Sequence, residues 1–337
     1  MRTMKILIRV PNWIGDSVLA QPAIESVADS FPDAELWLSA AEWVKDLYPS
    51  KGAIAGVLPL SPPNGLKSVR AAARKIRAQS FDIGILFTNS FGSALLFFLA
   101  GIPQRWGYAA DGRRLLLTKA VRTTGQDAPR HQVQYYLDLI TGLGLKSRPP
   151  GLLLTVPEEE KGRARRFLED LGVDPRRSLL ILSPGAGYGP AKRWPASRFA
   201  AVTSLFQERK DAAVLIIGSA AESDIAAAIS SSLNKKPCVL TGKTTLSQLK
   251  GLISLAHLFV SNDSGPMHLA NALRVPVVGI FGPTDPAVTG PFEPPAAVVK
   301  KEVPCWPCSY RKCPYDHRCM MRIEPEEVYR AGEALWR

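Results

Sequence analysis

Residues 261–268 read Ser-Asn-Asp-Ser-Gly-Pro-Met-His, so Asp263, Ser264 and His268 fall within six residues. An apolar run at 258–260 precedes them and a helix-like run at 269–273 follows. Proline suits a first helical turn, where its missing N–H costs nothing, so Pro266 predicts a helix start. Asp263 or Ser264 could cap that helix. Its free amides and dipole could equally seat an anion, with His268 as a further donor. Residues 183–195 read Ser-Pro-Gly-Ala-Gly-Tyr-Gly-Pro-Ala-Lys-Arg-Trp-Pro. The alternating glycines imitate a dinucleotide fingerprint, but no helix follows directly, and the next strand ends in Gly218-Ser219 rather than an acid. A glycine loop running into Lys192 and Arg193 fits a phosphate cradle with a cationic arm. A flexible connector would explain the glycines but not the Lys-Arg-Trp after them.

Two carboxylates follow other strand-like runs. Asp16 sits in Pro-Asn-Trp-Ile-Gly-Asp-Ser (residues 11–17), where a helix N-cap is the plain alternative to chemistry. Glu222 follows Gly218-Ser219, where it could hold ribose hydroxyls or serve as a first-turn helix acid.

Residues 305–319 carry four of the five cysteines in a C-x2-C-x4-C-x5-C pattern, with His317 inside. Stable disulfides are not expected in a cytosolic chain, so a structural zinc on Cys305, Cys308, Cys313 and Cys319 is the leading functional reading. An iron–sulfur cluster and simple reduced or partly paired thiols are the alternatives. Cys238 stands apart and reads as a buried small hydrophobe.

The elements that must position these residues alternate. Strand-like runs at 4–10, 35–38, 54–60 and 82–87 are separated by helix-like ones, including 17–30 and 66–79. Residues 147–160 interrupt the rhythm with three prolines, a glycine and three glutamates. It resumes with strands at 179–183, 213–218, 239–240, 257–261 and 275–281. Helices are expected at 196–209, 222–233, 245–256 and 324–337. Two α/β halves with parallel sheets follow, and ligands of such sheets bind beyond the carboxyl ends of the strands.

With 337 residues and 46% hydrophobic content, the chain has core material for two domains. No apolar run reaches membrane-span length, and no signal peptide is read, so a cytoplasmic location is expected. The net charge is +12, and residues 61–130 hold eleven Lys or Arg against three Asp. Aromatics do not interleave with the basic residues of 66–79, which argues against nucleic acid. That stretch reads as an amphipathic helix with Leu66, Val69, Ala73 and Ile76 inward and Lys67, Arg70, Arg74, Lys75 and Arg77 outward. A membrane surface or an acidic acceptor is the better partner.

The motifs together resemble the bacterial lipopolysaccharide heptosyltransferases of glycosyltransferase family 9. The matching stretches are Asn12-Trp13-Ile14-Gly15-Asp16, Asn89-Ser90-Phe91, Ser93-Ala94-Leu95, Ala100-Gly101-Ile102-Pro103 and Pro184-Gly185-Ala186. Further along come Gly189-Pro190-Ala191-Lys192-Arg193-Trp194-Pro195, Asn262-Asp263-Ser264-Gly265 with His268, and Gly282-Pro283-Thr284. The run at 189–195 is particular to the second type of that family. The cysteine cluster departs from the pattern of its enterobacterial members.

The resemblance implies a GT-B fold, two Rossmann-like domains facing across a cleft. Residues 1–155 would bind the acceptor and 156–323, including the Cys-rich segment, ADP-heptose, while 324–337 would form a helix crossing back to the first domain. It implies inverting transfer of L-glycero-D-manno-heptose from its ADP derivative to the first heptose of heptosyl-Kdo2-lipid A, at the inner leaflet of the inner membrane. No metal is implied for catalysis, and a monomer is expected. Asp16 resembles the general base, and Lys192 the group that stabilises the departing diphosphate. Gly187, Tyr188, Glu222, Asp263, Ser264, Gly265 and His268 resemble donor-site residues, while Asn12, Trp13, Asn89 and Ser90 would face the acceptor. Another heptosyltransferase type, a GT-B nucleotide-sugar epimerase and a non-catalytic anion- or membrane-binding module are the competing readings.

Overall fold

The computed structural model describes residues 2–48, 52–60, 65–123, 129–174 and 176–336. The chain divides into two compact units, Met1–Gly151 and Leu152–Arg337.

The first unit runs β1 (Lys5–Arg9), α1 (Ile14–Leu19), α2 (Gln21–Ser30), β2 (Glu35–Ala40), β3 (Ile54–Pro59), α3 (Leu66–Arg77), β4 (Ile83–Leu86), α4 (Phe91–Leu99), β5 (Gln104–Tyr108), β6 (Lys119–Val121) and α5 (Gln132–Gly142). Its sheet is parallel in the order β3-β2-β1-β4-β5-β6. Ile6, Leu7 and Ile8 are wholly buried, as expected of a strand covered on both faces. Arg9 pairs in register with Leu86, so the loops that follow β1 and β4 leave the sheet side by side. The single helix expected at 17–30 is two helices: Pro22 occupies the first turn of α2, so the chain restarts there, and α1 begins early enough to include Asp16.

In α3, Ala73 and Ile76 are buried and Val69 partly so, as expected; the side chain of Leu66 lies outside the described residues, as do 61–64 and 124–128 of the basic stretch. The short strands β5 and β6 carry polar and charged residues and escape a reading based on apolar runs.

The second unit runs α6 (Glu158–Asp170), β7 (Leu179–Ser183), α7 (Ala196–Arg209), β8 (Ala213–Ile216), α8 (Ser223–Ser231), β9 (Cys238–Val239), α9 (Leu246–Ile253), β10 (Leu258–Asn262), α10 (Gly265–Ala272), β11 (Val277–Phe281), α11 (Pro286–Thr289), β12 (Ala296–Lys300), α12 (Arg318–Met321) and α13 (Pro325–Leu335). Its parallel sheet is ordered β12-β11-β10-β7-β8-β9. Counted from β7, this repeats the arrangement of the first sheet. In both sheets the order reverses beside the first strand, which makes the β7–β10 junction the topological switch point of the second unit. Ser261 pairs with Ser183, so the loops after β7 and β10 leave the sheet at one level.

The sequence reading sets 324–337 apart as a helix returning to the first domain. Instead α13 packs on α7 and on β10 to β12. Val328 and Tyr329 are wholly buried there, and Trp336 stacks on Phe206 at 5.2 Å. Apolar burial fixes this helix in the second core. No described helix is long and apolar enough to cross a membrane.

Candidate active site

In the second unit the switch point gathers the residues that the sequence separates. Lys192 lies in the glycine loop after β7, and Asp263 follows β10. The Lys192 Nζ is 2.5 Å from the Asp263 Oδ2, and both side chains are almost fully buried. The same oxygen accepts hydrogen bonds from the Thr284 hydroxyl at 2.7 Å and the Thr289 hydroxyl at 3.3 Å. A buried carboxylate needs such partners, since an unpaired one is costly. Asn262 fixes the approach of the two loops: its amide donates to the Pro184 carbonyl at 2.7 Å, and its oxygen accepts from the Trp194 N–H at 3.1 Å. Trp194 is wholly buried, with its indole N–H on the Ile323 carbonyl. The Lys-Arg-Trp run is therefore an anchored arm rather than a free connector.

Neither expected cap is used. Ser264 occupies the N-cap position of α10, but no side chain caps that helix. The Ser264 hydroxyl is 3.0 Å from that of Ser261, and Asp263 is held by Lys192. In the first turn Pro266 has no N–H and that of Met267 donates to the Ser264 carbonyl at 3.1 Å, so the Gly265 amide, with the helix dipole, is the group that can face an anion. His268 is buried one turn on. Pro266 stands in the first turn as expected.

Tyr188 lies under two cations, with the Lys192 Nζ 4.7 Å and the Arg311 guanidinium 5.2 Å from its ring centre. Gly187 precedes it in the exposed part of the loop. Glu222 closes a capping box, accepting from the Ser219 N–H at 2.7 Å and the Ser219 hydroxyl at 2.9 Å. Its carboxylate also lies against Gly185: a Cβ there would stand 1.8 Å from Oε1. Any larger residue at 185 would push the Glu222 carboxylate out of this position.

The Cys-rich segment braces this loop. The Ala191 N–H donates to the Arg311 carbonyl at 3.1 Å, and the Tyr188 hydroxyl to the Ser309 carbonyl at 2.6 Å. The His317 Nε2 is 2.6 Å from the Ala191 carbonyl. Cys308 and Ser309 amides both donate to the Pro283 carbonyl. A Cβ on Gly189 would be 2.3 Å from the Arg311 carbonyl oxygen, so this contact also requires glycine.

The expected structural zinc finds no support among the described residues. Cys305, Cys308, Cys313 and Cys319 are free thiols lining one cavity with His317. Among the described residues no three His, Cys, Asp or Glu side chains are gathered to hold a metal ion. Burial, with smaller contributions from Cys308, Cys313 and Cys305, pushes the Cys319 thiol up to about 11. Hydrogen bonds and core packing hold the segment, with Cys319 and Met320 buried in the second core. Cys238, expected to be buried, is half-buried in β9.

In the first unit Asp16 is not a cap. Trp13 holds the N-cap position of α1, and Asp16 sits half-buried in the first turn. Burial first, then the charge of Asp16, holds the Tyr136 hydroxyl well above its ordinary value. Asn12 accepts from the Arg9 guanidinium at 2.8 Å, and its carbonyl takes the Trp43 indole N–H. Trp13 and Trp43 are both more than half exposed beside this loop. Asn89 is engaged within the protein: its amide donates to the Tyr135 hydroxyl at 2.6 Å, and its oxygen accepts from Arg113. Ser90 caps α4 through the Ser93 N–H. Sequence reasoning gave no role to Thr284, Thr289, Arg311, Arg9 or Trp43. Arg9, a charge at the end of an apolar strand, carried a readable signal.

The structure aligns with that of Escherichia coli ADP-heptose LPS heptosyltransferase II over 98% of each chain, with a TM-score of 0.84 and 28% identity. The two Rossmann-like units, with a cationic site at the switch point of the second, define a glycosyltransferase of the GT-B class. The family follows from the sequence, since residues 69–318 match the model of glycosyltransferase family 9 (heptosyltransferase). The lipopolysaccharide heptosyltransferase 2 of Salmonella typhimurium is 31% identical over 309 residues, 88% of either chain. The lipooligosaccharide heptosyltransferase 2 of Campylobacter jejuni is 32% identical over 343 residues, 98% of either chain. The chain belongs to glycosyltransferase family 9 and is a heptosyltransferase.

Proposed function

We propose that this enzyme transfers L-glycero-D-manno-heptose from ADP-heptose to the first heptose of heptosyl-Kdo2-lipid A, with inversion, acting as a monomer at the inner leaflet of the inner membrane. The observation that carries the reading is the buried Lys192–Asp263 pair beside the uncapped start of α10. One Lys192 N–H is engaged by Asp263, and the ammonium has two more to offer a diphosphate.

The second unit is the donor side. Gly187, Tyr188, Glu222, Asp263, Ser264, Gly265 and His268 surround the nucleotide-sugar. The first unit is the acceptor side, with Asn12, Trp13, Asn89 and Ser90 at the carboxyl edge of its sheet. Asp16 takes the proton of the acceptor hydroxyl as its oxygen bonds to the anomeric carbon. The bond from that carbon to the diphosphate breaks, and the electron pair leaves with ADP. Lys192, the Gly265 amide and the α10 dipole offset the charge that develops on the β-phosphate, the work a metal ion does elsewhere. Charged groups fixed in a site that excludes water need little rearrangement to do this.

The test is ADP release from ADP-heptose with and without heptosyl-Kdo2-lipid A. Release that depends on the acceptor, with an α-linked heptosyl product, is expected. Release independent of acceptor would favour an epimerase or hydrolase chemistry and overturn the proposal.

A further inference from the structure

The first unit carries a cationic face that the sugar-transfer chemistry does not use. In α3, Lys67, Arg70, Arg74, Lys75 and Arg77 are all exposed, while Ala73 and Ile76 are buried. None of the five has an ion-pair partner among the described residues, and neither has Arg105 or Arg114. Residues 61–130 contain three Asp and no Glu, and Asp82 is already paired with Arg2. The excess charge therefore faces solvent rather than neighbouring carboxylates.

An apolar ridge adjoins this face. The Arg77 guanidinium donates to the Leu99 carbonyl at 2.5 Å, joining the end of α3 to the end of α4. Phe98, on that end of α4, is about half exposed, and the Arg105 guanidinium lies 5.4 Å from its ring centre. Arg105 donates in turn to the Leu116 carbonyl at 2.7 Å, in the 3-10 turn Arg113–Leu116. In that turn Leu115 is 94% exposed. The route Arg77, Leu99, Phe98, Arg105, Leu115 is continuous, so cations and bare apolar side chains share one surface. Arg113 in the same turn is wholly buried and serves the fold, donating to the Tyr108 carbonyl.

We propose that this surface docks the enzyme on an anionic phospholipid bilayer, with α3 lying over the headgroups and Leu115 and Phe98 entering the interface. Charge complementarity favours this occupant. Unpaired Lys and Arg are attracted to acidic headgroups, and bulky apolar residues beside them gain from burial at the acyl boundary. Nucleic acid would use stacking aromatics along the basic helix, and α3 has none. The inference deepens the inner-leaflet part of the proposed function and rests on it.

The test uses the full chain with vesicles of phosphatidylethanolamine and phosphatidylglycerol, against vesicles of phosphatidylcholine alone. Sedimentation at low salt is expected to bring the chain down with the anionic vesicles only, and added salt to release it. The triple variant Lys67→Glu, Arg70→Glu, Arg74→Glu is expected to reduce the partition at least about tenfold, each surface cation being worth about fivefold. Leu115→Ser should reduce it by roughly threefold to tenfold while leaving the salt dependence in place. Thermal melts should match the parent chain, because every substituted side chain is exposed. Both variants should turn over a deacylated, water-soluble acceptor at the parent rate. Equal partition onto neutral and anionic vesicles, or an unchanged partition in the triple variant, would overturn the surface. So would tighter capture by duplex DNA than by anionic vesicles, or release by millimolar inorganic phosphate at constant ionic strength. If the parent chain fails with the soluble acceptor yet binds vesicles, the proposed acceptor falls and the docking surface stands.

Discussion

The Asp263 carboxylate oxygen that receives the Lys192 ammonium at 2.5 Å also receives two threonine hydroxyls, Thr284 and Thr289. Three donors from the loops after β7 and β11 and from α11 thus converge on one buried atom. The ammonium is held in place before any ligand arrives, which is the condition for electrostatic stabilisation without reorganisation.

Replacing Lys192 by alanine is expected to weaken ADP binding and slow turnover, and also to lower the melting temperature. Removing one member of a buried pair leaves the other uncompensated, at a cost of about 3–5 kcal/mol. The double variant Lys192→Ala, Asp263→Ala should be less destabilised than the two single losses added together. Calorimetry showing unchanged ADP affinity in Lys192→Ala would remove the phosphate contact.

Asp16→Ala is expected to lose roughly 10²–10⁴-fold in kcat while retaining affinity for ADP-heptose. A melting curve close to that of the parent would place the loss in the chemistry and not in the fold. Near-normal turnover would take Asp16 out of the mechanism.

Gly189→Ala should force the glycine loop away from Arg311, because its Cβ would stand 2.3 Å from a carbonyl oxygen. A destabilisation of about 1–3 kcal/mol is expected, with a raised KM for donor. Retention of both parent values would show that the brace can move at no cost.

Because burial raises the Cys319 thiol to about 11, it is protonated at pH 8 and its thiolate fraction grows about tenfold per pH unit up to that value. Alkylation of Cys319, followed by peptide mass spectrometry, should therefore accelerate steadily through pH 10. A plateau near pH 9, the value of an ordinary thiol, would contradict the burial.

Much of the fold was legible because its signals are local. Unbroken apolar runs mark β1, β7, β10 and β11, since strands covered on both faces need no alternation. Pro266 marks the start of α10 for an equally local reason. What sequence could not supply is pairing at a distance. Lys192 and Asp263 are 71 positions apart, and their bond exists only because β7 and β10 are neighbours. Asp263 looked available to cap α10, whereas the fold gives it a lysine. Asn89 is expected from its motif to face an acceptor, and the fold adds what the motif could not show, a hydrogen bond to Tyr135, 46 positions on. The cysteine spacing placed four thiols in one short segment, and the fold brings them around one cavity with His317.

The brace between the Cys-rich segment and the donor loop bears on how this stretch can vary. The Arg311 and Ser309 carbonyls and the Cys308 and Ser309 amides are main-chain atoms, and they make the grip without any sulfur. Exchange of a cysteine for serine would leave these anchor points in place. A single inserted or deleted residue between positions 309 and 311 would shift them out of phase with Tyr188 and Ala191. The segment should thus tolerate spelling changes far better than changes of length.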